Sequence, residues 1–261
     1  MKVVLFCGGL GLRLREASER VPKPMVPIGT RPVLWHVMKY YAHFGHTDFV
    51  LCLGHKAEVI KEYFLTYQEA LTNDFVLSGS DRQVTLKNHD LRDWQISFCD
   101  TGLKANVGSR LAKVRSLVDD DDIFLANYGD TLTDAPLPQM IDALRNSDAV
   151  AIFISVKPQY SFHIVQSDEN HKVTEIRSLE DSDIRINGGY FAFRPELFDY
   201  MRDGEEMVEE PFRRLAEEGR LLAYKHEGFW APMDTLKDKQ SLDAMVEAGG
   251  GPWQLWLDGG V

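Results

Sequence analysis

The sequence predicts an α/β fold, a doubly wound, mostly parallel sheet with helices on both faces. Three observations predict it. Short, fully apolar runs such as Val3 to Phe6 recur along the first half of the chain, as expected of strands covered on both faces. Segments with helical spacing of apolar residues separate these runs. A glycine-containing loop follows the first run directly, at the strand end where open α/β sheets bind ligands.

Each element follows from its local pattern. Val3 to Phe6 reads as a buried strand, and the loop after it, carrying glycine and arginine, extends to Gly29. Pro32 to Phe44 is an amphipathic helix opened by proline. Asp48 to Leu53 is a second buried strand and Ala57 to Phe64 a second helix, which makes a βαβ unit. A less regular stretch carries Gln83 to Lys87 and Trp94 to Cys99. The alternation then resumes with a helix at Ser109 to Val118, a strand at Ile123 to Ala126 and a helix at Leu137 to Asn146. From Ala149 the character changes. Ala149 to Val156 is a strand, and Ile164-Val165 with Val173 to Ile176 flank the polar run Ser167 to His171 as a hairpin. Tyr190 to Phe193, a helix at Glu209 to Glu217, an apolar run at Leu221 to Tyr224 and a helix at Leu236 to Ala248 follow.

No repeat and no Pro/Ser-rich linker divides the chain, so one domain over residues 1–261 is expected. Within it, residues 1–147 and 148–240 form two halves, the second with a small β-rich extension, and residues 241–261 form a last helix and tail. Trp253 and Trp256 in that glycine-rich tail mark a docked arm or an oligomer contact, and Trp35 and Tyr41 mark core or interface.

A hydrophobic fraction of 44% and a charged fraction of 26% are those of a globular protein. The net charge of −11 argues against binding nucleic acid or an anionic membrane, which require basic surfaces. The apolar start, Met1 to Phe6, is too short for a signal sequence or a membrane span, so the cytoplasm is the expected compartment. Cys7, Cys52 and Cys99 sit in strand-like runs without metal-ligand spacing and read as buried, reduced thiols. The run Asp119 to Asp122 reads as a solvated turn, and the scattered histidines suggest no metal site.

The chemistry concentrates at four places. The first strand runs into Gly8-Gly9-Leu10-Gly11-Leu12-Arg13-Leu14 and then Lys23-Pro24-Met25. Glycines after a strand let backbone N–H groups approach phosphates, but a dinucleotide fingerprint fits poorly. Position 14 is Leu where a third glycine is needed, and Pro22 and Pro24 prevent a helix from opening there. Arg13 and Lys23 instead supply cations suited to a triphosphate, against the alternative of a structural turn with surface charges. Tyr128-Gly129-Asp130 puts a carboxylate after a strand. Asp234, in Gly228 through Thr235, is either a second carboxylate for Mg²⁺ or a helix N-cap, a role open to Thr235 as well.

In order and spacing these motifs, with Ile186-Asn187-Gly188-Gly189, resemble the sugar-1-phosphate nucleotidyltransferases, which have a Rossmann-like fold. The glucose-1-phosphate cytidylyltransferase branch is the nearest, through Pro32-Val33-Leu34-Trp35-His36, Ile60 to Phe64, Asp100-Thr101-Gly102, Gly108-Ser109-Arg110-Leu111 and Pro252-Trp253. The resemblance spans nearly the whole chain. It implies that Gly8, Gly9, Gly11, Arg13 and Gly129 hold the nucleotide, that Lys23 neutralises phosphate charge, and that Gly108 and Arg110 lie near cytosine and ribose. It implies Mg²⁺ as cofactor on Asp130 and Asp234, with Arg13, Lys23 and Asp130 catalytic. CTP and a sugar 1-phosphate would be the substrates, Asn187, Gly188 and Gly189 would face the acceptor, and a homo-oligomer is expected. UTP or dTTP, a non-sugar phosphate or phosphonate acceptor, and a non-catalytic nucleotide-sensing subunit are the alternatives.

The chain departs from the family pattern in three places. Leu12 replaces a threonine. Ser161-Phe162-His163 puts an imidazole where the family has glycine, and Arg177-Ser178-Leu179-Glu180 lacks the lysine that meets the acceptor phosphate. These changes predict an altered acceptor pocket, with His163, Arg177 or Arg185 as candidate replacement donors.

Overall fold

The computed structural model describes residues 1–9, 21–158, 162–179 and 181–257. Its strands are β1 (Lys2–Phe6), β2 (Pro27–Ile28), β3 (Arg31–Pro32), β4 (Asp48–Leu53), β5 (Phe75–Ser78), β6 (Gln83–Leu86), β7 (Gln95–Asp100) and β8 (Phe124–Asn127). They continue with β9 (Thr131–Thr133), β10 (Ala151–Val156), β11 (His163–Ser167), β12 (Val173–Ser178), β13 (Ile186–Phe193), β14 (Leu221–Lys225) and β15 (Trp230–Pro232). The helices are α1 (Val33–His43), α2 (Ala57–Thr66), α3 (Val107–Lys113), α4 (Arg115–Val118), α5 (Leu137–Arg145), α6 (Glu210–Glu217) and α7 (Leu236–Glu247).

The central sheet has the order β14-β10-β13-β8-β1-β4-β7. All neighbours are parallel except β13, which runs antiparallel to both β8 and β10. From β1 the chain winds outward through β4 and β7, then returns to β8 on the other side of β1. That reversal opens a crevice beyond the carboxyl ends of β1 and β8.

Alternation along β1 explains its unbroken apolar run. Val3 and Leu5 face a core built with α1, α2, α5 and α7, whereas Val4 and Phe6 face one built with α3, α4 and α6. α1 is covered nearly all round, in contrast to the amphipathic helix the pattern predicts, because the C-terminal tail packs over its outer side. Trp253 is fully buried, stacks on Phe229 at 5.5 Å, and donates its indole N–H to His36 Nδ1 at 3.3 Å. Trp256 meets Trp35 edge-on at 5.8 Å. Trp35 and Tyr41 are therefore core residues, and the described part of the tail is a docked arm.

Three local departures have simple causes. The helix expected at Ser109 to Val118 starts earlier, because Asn106 Oδ1 caps it by accepting from the Ser109 N–H at 2.8 Å, and it breaks at Val114. The irregular stretch before Trp94 contains the exposed hairpin β5–β6. The pair β9–β15 was invisible as a motif because each strand is three residues long and its partner is remote in sequence. No described helix is long and apolar enough to cross a membrane.

Candidate functional site

The crevice holds a cavity of about 500 Å³ walled by Gly8, Gly9, Lys23, Tyr128, Asp130 and Asp234, and, on its far side, by Asn187, Gly188 and Trp230. Asp130 and Asp234 meet because β9 and β15 pair immediately beside them. Thr131 lies opposite Pro232, and the Met233 N–H donates to the Asp130 carbonyl at 2.9 Å. Thr235 takes the cap of α7 in a reciprocal box with Asp238, so the Asp234 carboxylate turns into the cavity instead.

Lys23 stands between the two carboxylates. It lies in a single 3-10 turn, Lys23–Met25, anchored by buried Pro24 and Met25. Its Nζ is 2.6 Å from Asp130 Oδ2 and 2.5 Å from Asp234 Oδ1. Burial works against its charge, but the two carboxylates outweigh that effect and raise its pKa above the ordinary lysine value. One ammonium against two carboxylates leaves this centre negative, which a triphosphate would oppose without a further cation.

The donor chemistry fits Mg²⁺, which takes one or two carboxylates and completes its shell with phosphate and water. Both carboxylates already bracket one cationic atom, the Lys23 ammonium. Among the described residues no group of three or more His, Cys, Asp or Glu could hold a metal by itself. An ion held by these two carboxylates would take the rest of its ligands from phosphate and water.

Arg110 also lines the cavity, and hydrogen bonds hold it there. Its guanidinium donates to the Leu53 carbonyl at 3.0 Å, to Thr101 Oγ1 at 2.7 Å and to the Gly8 carbonyl at 3.0 Å, which ties Gly8 to the ends of β4 and β7. A side chain at Gly8 would meet this guanidinium at 2.1 Å. Gly108 is not part of the cavity wall. It lets α3 approach the Glu205 carbonyl, which a Cβ would meet at 2.3 Å. Gly129 N–H donates to Asn127 Oδ1 at 2.6 Å in the turn that delivers Asp130. Cys7, behind the same loop, is fully buried with its thiol pushed up chiefly by burial, so it stays protonated.

The opposite wall is pre-organised by hydrogen bonds. Asn187 Oδ1 accepts from the Gly189 N–H at 2.9 Å, and its Nδ2 donates to Tyr128 Oη at 3.2 Å. Trp230 Nε1–H donates to the Gly188 carbonyl at 2.8 Å. Gly189 has φ +77°, and a Cβ there would strike the Tyr128 ring at 2.6 Å. Burial pushes the Tyr128 phenol up to about 12, so it remains neutral. Glu206 also lines the cavity, although in sequence it looks like one more surface acid.

Other predicted residues lie elsewhere. His163 and Arg177 sit on the exposed hairpin β11–β12 and line no wall of the cavity, and Arg177 pairs with Glu175 at 3.6 Å. Gly11, Leu12, Arg13, Ser161 and Glu180 fall outside the described residues.

Comparison with known proteins matches this geometry. The nucleotidyl transferase family model matches residues 2–260. Glucose-1-phosphate cytidylyltransferases of Salmonella typhimurium and Salmonella typhi are each 36% identical over 261 aligned residues, covering 98% of this chain and 100% of theirs. A UTP-bound UGPase from Acinetobacter baumannii has the same fold at a TM-score of 0.70 and 17% identity, over 99% of this chain and 97% of that one. With its family model spanning the sheet, the glycine loop and both carboxylates, the chain belongs to the nucleotidyl transferase family.

Proposed function

We propose that this enzyme transfers the cytidylyl group of CTP to a sugar 1-phosphate, with Mg²⁺ held by Asp130 and Asp234. The observation that carries the reading is the convergence of Lys23, Asp130 and Asp234 at the mouth of the β1–β8 crevice. CTP is favoured among nucleotides by the full-length relatives named above.

An oxygen of the acceptor phosphate attacks the α-phosphorus in line, forming the new phosphoanhydride. The bond to the β-phosphate breaks and pyrophosphate leaves with its electron pair. No proton transfer and no covalent enzyme intermediate is needed, so catalysis is alignment plus charge neutralisation. Bound at the two carboxylates, the ion would supply positive charge to the reacting phosphates. Lys23 would release its carboxylate partners and turn its ammonium to the phosphates. Gly8, held by Arg110, helps orient the nucleotide in this reading, and Tyr128, Asn187 and Trp230 form a wall against which a hydroxylated acceptor lies. Gly9, Gly11 and Arg13 complete the triphosphate cradle in this reading.

Three free cysteines support a reducing, cytoplasmic setting. Exposed apolar side chains on the two hairpins, among them Leu77, Val84, Val165 and Ile176, support a homo-oligomer. Incubation with CTP, Mg²⁺ and a panel of sugar 1-phosphates, with pyrophosphate as readout, tests the assignment. Turnover that requires both CTP and a sugar 1-phosphate supports it, and release of pyrophosphate with UTP or dTTP alone among the nucleotides contradicts it.

A further inference from the structure

We propose that the acceptor carries a second anionic group, recognised by Lys157 and Lys225 in a cavity that adjoins the catalytic one. The inference rests on the nucleotidyl-transfer reading above and names its substrate class, a sugar phosphate with an additional phosphate or carboxylate at its far end.

The two cavities share a wall. Ile186 and Asn187 line the catalytic cavity and also a larger one, of about 1010 Å³, between α6 and the β10–β14 edge of the sheet. Strand register gives the separation. Asn187 on β13 lies opposite Ser155 on β10, and Ser155 lies opposite Lys225 on β14. At about 4.8 Å per strand, Lys225 stands roughly 10 Å along the sheet from Asn187. β10 and β14 run parallel to each other and, through antiparallel β13, in the same direction as β8. Lys157 and Lys225, at their carboxyl ends, therefore sit on the sheet edge that also carries Asp130.

Lys157 links the regions a second way. It lines the larger cavity, and it also lines a small one of about 160 Å³ together with Trp230, which is part of the catalytic wall. Phe153, Phe212 and Leu221 give the larger cavity an apolar floor able to take the face of a sugar ring.

The charges suit an anion. Lys157, Arg185, Arg213 and Lys225 face Asp183, Glu209 and Glu227, an excess of one positive charge in a chain of net charge −11. Arg185 serves as the frame. It donates to Ser155 Oγ at 3.1 Å and to the carbonyls of Ser155 and His226 at 2.7 Å each, and it pairs with Glu227 at 2.7 Å. Lys157 and Lys225 line the same cavity beside that frame.

The test compares kcat/KM for glucose 1,6-bisphosphate, glucuronic acid 1-phosphate and glucose 1-phosphate, with CTP and Mg²⁺. At least one of the two doubly anionic acceptors should exceed glucose 1-phosphate by about tenfold or more. Lys157→Met combined with Lys225→Met should erase that preference, whereas Lys172→Met, beside the turn of the β11–β12 hairpin, should leave it unchanged. Equal or better use of glucose 1-phosphate overturns the inference while leaving nucleotidyl transfer intact. A preference that survives the double substitution, or that Lys172→Met removes equally, overturns it too. If no acceptor is turned over, the nucleotidyl-transfer reading fails separately. Calorimetric binding of glucose 1,6-bisphosphate then decides, since loss of binding in the double variant sustains the inference and equal binding overturns it.

Discussion

Lys23 is held by two carboxylates, Asp130 and Asp234, that the proposed mechanism assigns to Mg²⁺, so in that mechanism its ammonium has two positions to serve. Lys23→Met should lower kcat by about 10² to 10³, the usual cost of losing one transition-state charge partner. Asp130→Asn should lower turnover by at least as much, with a higher Mg²⁺ requirement, and chelation of Mg²⁺ from the wild-type enzyme should stop turnover reversibly. Pyrophosphate release against Mg²⁺ concentration measures all three, and an Asp130→Asn enzyme with an unchanged Mg²⁺ curve would remove that residue from the site. His36 makes a pH prediction. Burial chiefly, with Arg31 adding to it and the Ile28 carbonyl opposing it, lowers its pKa to about 4. Its neutral ring donates from Nε2 to Ile28 and accepts at Nδ1 from Trp253. Unfolded histidine titrates near 6.5. The stabilisation is therefore complete above about pH 6.5, declines as pH falls towards 4, and is level below that. His36→Gln should flatten this acid decline, by on the order of 3 kcal/mol in urea unfolding between pH 7 and 4.

At the scale of elements, the site depends on segments that carry no catalytic atom. The tail is one. Trp253 stacks on Phe229, which precedes Trp230 and the strand leading to Asp234. Trp253→Ala should cost about 3 to 5 kcal/mol in unfolding free energy, as for other buried aromatic deletions, and a loss under 1 kcal/mol would refute the docked-arm description. Continuous apolar runs were legible in the sequence because each burial pattern is local: Asp48 to Leu53 is strand β4 to the residue, whereas β13, whose first half carries the polar and glycine positions Asn187 to Gly189, was read only from Tyr190. The short elements were not. β9 and β15 acquire meaning only by pairing with each other, and Gly108 in the first turn of α3 hides the Asn106 cap. Lys23, Asp130 and Asp234 could be chosen from their motifs, but that one ammonium touches both carboxylates is a tertiary fact. Glu206 gave no signal, being one acid among several in its run, whereas Arg110, chosen from its motif, lines the cavity with its guanidinium anchored to Leu53, Thr101 and Gly8.

The molecule as a whole places the two halves of its chemistry on one sheet edge. Strands β1 and β8 from the first half and β13 from the second are hydrogen-bonded neighbours, so Gly8 and Gly9 line the same crevice as Asn187 and Gly188. The hairpins β5–β6 and β11–β12 project apolar side chains from this body, and a hairpin standing alone is marginal in water. Sedimentation velocity should accordingly give a mass at least twice the 29.7 kDa of one chain, and a monomer at micromolar concentration would contradict the oligomer. The measurement that bears most directly on the central claim is pyrophosphate release with each nucleoside triphosphate in turn, Mg²⁺ and a panel of sugar 1-phosphates. Release that needs both CTP and a phosphorylated sugar, at about 1 to 10³ per second, is the predicted result. Silence across every combination would contradict it.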